Sequence, residues 1–238
     1  AVAVPVHINS GNPAYPFPQF LEYASGGNLG RENPEGLVHA EMERYIRKAY
    51  QQHANEFEYT GEEYKGIKYI WTPYKAAYDC SEGDGYALLA AAYMADKVTF
   101  DGYWMATHDK RRVHTKRYSD CSDNAPNYEF GKFAISDGAD EGGNTAADGD
   151  VDVALALYVA YKQWGEFMLD EKGEKVLDAC GNPISYKQEM INVIRGLVAM
   201  TNMDAGKNPA RVNTGIIGLD GYPRGGDTWK EQTDWALQ

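Results

Sequence analysis

Apolar positions recur with helical spacing in five segments of the chain. The first segment follows Asn33, which suits a helix cap, and Pro34, which suits a first turn. Because apolar residues three and four positions apart share one face of a helix, the pattern predicts five helices. They cover about residues 34–55, 81–97, 100–108, 148–165 and 185–203.

Two of these helices, 81–97 and 148–165, are apolar on nearly all sides. Such helices are usually buried on most sides, so several neighbours must pack around them. Gly165 is well placed to end the second one. Strand patterns are nearly absent, apart from the short stretch "KYIW" at 68–71. The sequence therefore predicts an all-α bundle or toroid.

We expect one domain over residues 1–238. Residues 1–33 are rich in Pro, Gly, Asn and Tyr and are typical of an irregular lead-in. Residues 109–147 are mostly polar, and a loop of that length within a compact domain is generally functional or disordered. A charged, hairpin-like insert separates the fourth helix from the fifth.

The net charge of −12 argues against nucleic acid or an anionic membrane as a partner, whereas a neutral polymer would be indifferent to it. The 18 Tyr and 5 Trp residues are more informative, because aromatic rings with polar edges suit the flat faces of sugars. No apolar run is long enough to predict a transmembrane helix, and no signal-peptide pattern opens the sequence.

Three cysteines are too few for a disulfide scaffold. One pair can form a bridge, and Cys80 with Cys121 is the favoured pair if the polar loop folds back over Glu82. The odd count leaves at least one thiol free, and the state of Cys80, Cys121 and Cys180 stays open. None of the cysteines has the CxxC spacing of a zinc site. The stretch "DGDVD" at 148–152 lacks the glycine position and the terminal glutamate of a calcium loop. We therefore expect no metal and no cofactor.

Carboxylates cluster at the starts of the two most apolar helices. Glu82 and Asp84 open one helix, and Asp148, Asp150 and Asp152 open the other. The helix dipole favours acids in a first turn, so capping is one interpretation. If the helices run parallel, the two clusters instead meet at one end and line a cleft. Glycoside hydrolysis requires a protonated acid near a carboxylate, and Glu82 has a glycine beside it and room to face a ligand.

The residues around these acids resemble the two signature blocks of glycoside hydrolase family 8. The blocks are "SEGDGYALLAAAYMADKVTFDGYW" at 81–104 and "AADGDVDVALALYVAYKQWG" at 146–165. The second block departs from the family pattern at Ala147, where a hydroxyl residue is usual, and at Val153, where Ile or Met is usual. The later "GDTW" at 226–229 resembles a family segment whose tryptophan stacks on a sugar. The resemblance covers about residues 15–229.

The resemblance implies a secreted, inverting, endo-acting hydrolase of β-1,4-linked polysaccharide on an (α/α)6 toroid. Cellulose or another β-glucan is the first expectation, and xylan or chitosan are alternatives. Glu82 falls on the family's general acid, Asp148 on the acid that holds and distorts the sugar, and Trp229 on the stacking platform. Trp164 belongs to the motif, but its helical position predicts core packing. Further aromatic candidates for the cleft wall are Tyr86, Trp104, Tyr118 and Tyr128.

An inverting enzyme also needs a base, about 6.5–9.5 Å from the acid, that activates water. In the commonest branch of the family this base is an aspartate well downstream of the "GDTW" position, and Asp120 or Asp137 are conceivable substitutes. Twelve helices with their loops need roughly 300 residues or more, so we expect the first half to two thirds of a toroid. An open toroid edge predicts self-association.

Three explanations remain open for the short chain. It is a fragment, or a second chain supplies the remaining helices, or it is a natural short form that binds glycans without cleaving them. A non-catalytic polysaccharide-binding protein is therefore the alternative to an enzyme. A purely structural helical domain, in which the acids are only caps, is a third reading.

Overall fold

The computed structural model describes the backbone of residues 39–72, 79–113, 117–120, 130–131, 134–136, 139–140 and 147–195, and the side chains of 44–72, 82–110, 117–120 and 149–195. This part of the chain is helix-rich, and its strands are short. None of its helices is long and apolar enough to cross a membrane. The helices are α1 His39–Ala54, α2 Ser81–Tyr93, α3 Lys97–Ala106, α4 Ala147–Trp164 and α5, which begins at 186 and is described as far as 195.

Most of the predicted helices are present within a few residues of their expected bounds. The helix α4 matches the fourth prediction, and it ends before Gly165, whose φ of +91° is the left-handed conformation that glycine readily adopts after a helix. The start of α5 also agrees with the prediction. Residues 34–38 and 196–203, at the outer ends of two predicted helices, lie outside the described residues.

The helix predicted over 81–97 is shorter than expected, because α2 ends at Tyr93 and a separate helix follows. Ala95 adopts a φ of +56° between them. Asp96 then caps α3 by accepting hydrogen bonds from the Thr99 amide at 3.3 Å and the Thr99 hydroxyl at 2.8 Å. The boundary between these helices was expected between 97 and 100, and the apolar run continues through 94 and 95, so spacing alone misplaced it by a few residues. The chain therefore turns back on itself between α2 and α3.

A two-stranded antiparallel hairpin precedes α2. It joins β1, Glu58–Tyr64, to β2, Ile67–Trp71. Lys65 and Gly66 form its two-residue turn with φ values of +50° and +84°, as a type I′ turn requires. The strand expected at "KYIW" is confirmed, but its charged partner β1 was not predicted. The remaining described strands are β3 Asp79–Cys80, β4 Arg112–Val113, β5 Phe130–Gly131, β6 Ala134–Ser136 and β7 Ala139–Asp140.

Four of these short strands, β4 to β7, lie within the region 109–147 that was expected to be a polar loop. The strand β3 pairs antiparallel with β6, which pairs with β7, and β4 pairs with β5. The chain after α3 first continues as a π-helical turn over Thr107–Arg111. The expectation of a nearly strand-free chain is therefore wrong in detail, because strands this short leave little alternation in a sequence.

The predicted hairpin-like insert between α4 and α5 is confirmed and holds two successive turns. Met168, Val176 and Ile184 are buried and spaced eight residues apart. The Met168 amide donates to the Ile184 carbonyl, the Ile184 amide to Val176, and the Val176 amide to Met168, all at 2.9–3.0 Å. Lys97, in the first turn of α3, donates to the carbonyl oxygen of Leu169 at 2.8 Å. The insert is thus fixed against α3.

One hydrophobic core joins the hairpin, the helices and the insert. Its largest fully buried side chains include Trp104, Tyr103 and Phe100 of α3. The Trp164 ring lies 5.3 Å from the Phe100 ring and 6.2 Å from the Tyr186 ring, measured between centroids. The prediction that Trp164 packs in the core is therefore confirmed. Tyr186 also hydrogen-bonds Asp101 of α3, which draws the start of α5 onto the same helix.

Candidate active site

The starts of α2 and α4 lie side by side. A Cβ atom added to Gly85 would stand 3.0 Å from the carbonyl oxygen of Gly149, and both glycines lie near the beginning of their helix. These two helices also share the most extensive contact between any two elements in the described residues. They therefore run in the same direction, as the sequence hypothesis required, and bring the two acidic helix starts to one end of the molecule.

Glu82 lies in the first turn of α2, and its side chain is half-buried. It is therefore neither sealed in the core nor fully solvated. Tyr86 lies one helical turn later, on the same face of α2, and 56% of its surface is exposed. A ligand approaching Glu82 along this face would meet the Tyr86 ring.

Asp84, two residues after Glu82, has a tertiary role that its sequence position did not reveal. Its side chain is buried, and the Tyr103 hydroxyl of α3 donates a hydrogen bond to its Oδ1 atom at 3.2 Å. The Thr72 hydroxyl, just after β2, lies 3.4 Å from the Tyr103 hydroxyl. A chain of polar groups thus connects the end of β2, the last turns of α3 and the first turn of α2.

The start of α4 carries the second group of acids. Asp148 lies in the first turn of α4, one residue before Gly149, and its side chain lies outside the described residues. Asp150 and Asp152 are buried, and Asp152 lies beside Gly85 of α2. Where side chains are described, no group of three or more His, Cys, Asp and Glu residues has an arrangement suited to a metal ion.

Two of the aromatic candidates for the cleft wall belong to the core. Trp104 and Tyr118 are buried, and the Trp104 indole donates to the Tyr118 hydroxyl at 3.0 Å. The suggestion that they line a cleft is therefore wrong, because their polar edges satisfy each other inside the protein. Tyr128 and Trp229 lie outside the described residues. Of the conceivable substitute bases, Asp120 is exposed and Asp137 also lies outside the described residues.

A buried polar cluster at the π-helical turn was missed by the sequence analysis. The His108 ring stacks on the Tyr118 ring, with centroids 3.7 Å apart, and its Nδ1 atom lies 2.8 Å from Asp109 Oδ1. The Tyr69 hydroxyl donates to Asp109 Oδ2 at 2.6 Å. Burial raises the pKa of Asp109, but the bonds and charge from His108, Tyr69 and the Tyr118 amide outweigh it and leave that pKa below its ordinary value.

The disulfide expectation requires a correction. Cys180, in the second turn of the insert, is disulfide-bonded. Because the chain has only two other cysteines, a bridge at Cys180 excludes the expected pairing of Cys80 with Cys121. The Ala179 amide donates to the Tyr118 carbonyl at 2.7 Å, so the fold brings the insert beside residue 118. Sequence spacing does not show this contact and therefore did not predict a bridge at Cys180.

A family model and a curated relative match this chain. The family model described as glycosyl hydrolases family 8 matches residues 65–212. A curated beta-glucanase of Niallia circulans is 28% identical over 168 residues, which are 68% of this chain and 37% of the relative. The chain thus spans well under half the length of that relative.

Two solved structures show weaker similarity. One is the apo β-1,3-1,4-glucanase from Paenibacillus sp. X4, with a TM-score of 0.49 and 21% identity over 69% of this chain and 38% of that chain. The other is a reducing-end-xylose releasing exo-oligoxylanase, with a TM-score of 0.49 and 21% identity over 72% of this chain and 40% of that chain. The family model matches more than half of the 238 residues and includes both acidic helix starts. The chain therefore belongs to glycosyl hydrolase family 8.

Proposed function

We propose that the chain is part of an inverting, endo-acting glycoside hydrolase that cleaves β-1,4-linked polysaccharide. The proposed substrate is cellulose or another β-glucan. The observation that carries the proposal is the contact of Gly85 with Gly149, which brings the helix starts bearing Glu82 and Asp148 together. Family membership supports a glycosidase. Xylan and chitosan are the alternative substrates.

In the proposed reaction, Glu82 donates a proton to the glycosidic oxygen as the bond to that oxygen breaks. A water molecule attacks the anomeric carbon from the opposite face of the sugar and loses its proton to a base about 6.5–9.5 Å from the acid. Asp148 holds and distorts the sugar at the cleavage point. Tyr86, Tyr128 and Trp229 are the proposed sugar contacts, and the exposure of Tyr86 supports its part in this set.

The proposed scaffold is an (α/α)6 toroid, of which this chain forms a part. In such a toroid, inner helices of successive helical hairpins run parallel to one another. The parallel course of α2 and α4, with α3 between them in the chain, supports this architecture. Both helices are apolar on most sides, as inner helices must be.

We also propose that the protein is secreted and self-associates. The disulfide at Cys180 supports the first proposal, because disulfides persist in oxidising compartments. Leu155 and Tyr158, which leave 40% and 41% of their surface exposed on α4, support the second. Light scattering on the purified chain should give more than one chain per particle, and a stable monomer would contradict self-association.

The test of the proposed activity is Glu82→Gln. This variant keeps the shape of the side chain but has no acidic proton to transfer, so reducing-sugar release from a soluble β-glucan should fall by about 10²-fold or more. Binding of the same glucan, measured by affinity electrophoresis, should persist. The matched control is Glu63→Gln, which changes an exposed glutamate of β1 and should leave hydrolysis unchanged.

The parent protein at its natural length decides between the classes of function. Binding without hydrolysis would identify a non-catalytic polysaccharide-binding protein, and absence of both would leave a structural domain. If the parent hydrolyses glucan, NMR of the first product tests inversion, because an inverting enzyme releases the α-anomer from a β-linked chain. Release of the β-anomer would contradict the mechanism.

A further inference from the structure

A large aromatic side chain lies at the surface where β2 ends. Trp71 leaves 42% of its surface exposed, although tryptophan is highly buried on average. Its neighbour Ile70 is fully buried and packs against α3, with its Cδ1 atom 2.6 Å from the point where a Cβ of Gly102 would be. Successive side chains of a strand point to opposite faces, so Trp71 lies on the face opposite Ile70, which it shares with Tyr69. Tyr69 is buried on that face, whereas Trp71, at the end of β2, is exposed.

The position of Trp71 connects it to the candidate acid. Thr72, the next residue, has its hydroxyl 3.4 Å from the Tyr103 hydroxyl. Tyr103 in turn donates to Asp84 at 3.2 Å, and Asp84 lies two residues after Glu82. The contacts between Thr72 and Tyr103 and between Tyr103 and Asp84 thus connect the residue after Trp71 to the first turn of α2. The end of β2 is fixed at the same end of the helices as Glu82.

We propose that Trp71 is a sugar-binding residue of an outer subsite, where its indole ring stacks on a sugar some way along the polymer from the cleaved bond. This inference rests on the proposed function. Indole is the largest side chain that combines an apolar face with a polar edge, and covering it removes apolar surface from water. Tyr86 lies on the Glu82 face of α2, nearer the reaction, whereas Thr72, Tyr103 and Asp84 separate Trp71 from Glu82. Trp71 should therefore contribute to binding long chains more than to bond cleavage.

The experiment compares Trp71→Ala and Trp71→Phe with the parent on β-1,4-linked gluco-oligosaccharides of increasing length. Trp71→Ala should raise KM about tenfold for the longest oligosaccharides, an effect equal to about 1.4 kcal/mol of binding free energy. The increase in KM should become smaller as the oligosaccharide becomes shorter, and it should be absent for the shortest oligosaccharide that is cleaved. The kcat should stay unchanged at every length. Trp71→Phe keeps a stacking face and should restore most of the affinity for long oligosaccharides.

Tyr45→Ala is the matched control. Tyr45 leaves 51% of its surface exposed on α1. Tyr50, five residues after Tyr45, donates a hydrogen bond to Asp96 at the start of α3. Tyr103, which bonds Asp84 near the candidate acid, lies near the other end of α3. Tyr45 is thus an exposed ring at the far end of the helices, and its removal should leave KM unchanged at every length.

Thermal unfolding of all three variants separates sugar binding from a structural role. If Trp71→Ala keeps the parent's Tm but raises KM with chain length, the proposal stands. An active parent whose KM is unaffected by Trp71→Ala, or is affected equally at all lengths, would overturn the outer subsite alone. A parent that neither hydrolyses nor binds glucan would overturn the proposed function, and this inference with it.

Discussion

A Cβ atom on Gly85 would stand 2.8 Å from the Cβ atom of Asp152, which is closer than real Cβ atoms approach one another. The first turns of α2 and α4 can therefore touch only because position 85 has no side chain. This close approach brings the helix start that bears Glu82 beside the one that bears Asp148. The glycine thus has a packing role at the candidate site, in addition to leaving room beside the acid.

The first prediction concerns Gly85→Ala. At an unconstrained helix position this change stabilises a protein by roughly 0.5–1 kcal/mol. Here the added methyl group would overlap Asp152 and the Gly149 carbonyl, so we expect a loss of about 1–3 kcal/mol in the free energy of unfolding. Urea denaturation measures it. A gain in stability would show that the helix starts can separate freely.

The second prediction concerns the cap of α3. Tyr50 of α1 donates to Asp96 Oδ2 at 2.9 Å, and Asp96 also caps the helix. Tyr50→Phe should cost about 0.5–1.5 kcal/mol of stability, the net value of one hydrogen bond. Asp96→Ala should cost more, because it removes the cap as well. In chemical denaturation Tyr45→Phe, at an exposed position, should be neutral, and equal losses in all three variants would contradict the assignment.

The third prediction concerns acid stability. The pKa of Asp109 is lowered in the folded protein, so the unfolded chain binds the proton more tightly. Asp109 therefore contributes stability above its unfolded pKa, and this contribution is lost as the pH falls from about 5 downward. Asp109→Asn should lower stability at neutral pH and flatten its decline in acid. A pH profile of Tm for Asp109→Asn that runs parallel to the parent's would refute the prediction.

The fourth prediction concerns the disulfide at Cys180. Reducing it should lower the free energy of unfolding by about 2–4 kcal/mol, the typical contribution of a native bridge. Thermal unfolding with and without reductant gives the difference. Cys180→Ser serves as the control, since it should unfold like the reduced parent and respond little to reductant. An unchanged Tm of the parent on reduction would mean that the bridge constrains nothing.

Helices with a strong local signal were predictable from the sequence. The helix α4 was expected at 148–165 and extends over Ala147–Trp164, because its apolar run is long and Gly165 suits the conformation that ends it. The parallel course of α2 and α4 was a hypothesis that the contact at Gly85 confirmed. The roles of Glu82 and Asp148 in catalysis stay predictions.

Features that depend on distant partners were not predictable. The charged strand β1 forms because β2 pairs with it, and nothing in its own alternation signals a strand. The position of the break between α2 and α3 depends on Asp96, whose carboxylate binds Tyr50, 46 residues earlier in the chain. His108 was expected at the end of a helix and Asp109 at the start of a polar loop, but both are buried against Tyr69 and Tyr118.

The sequence by itself determined which segments avoid water, where α4 begins and ends, and which acids stand at the helix starts. Those properties are local, because helix spacing, capping and dipole effects act within a few turns. Only the tertiary structure decided that Asp84 binds Tyr103, that Trp104 and Tyr118 satisfy each other in the core, and that Trp71 faces solvent. Which groups meet depends on packing between elements far apart in the chain, and a single sequence does not specify those contacts residue by residue.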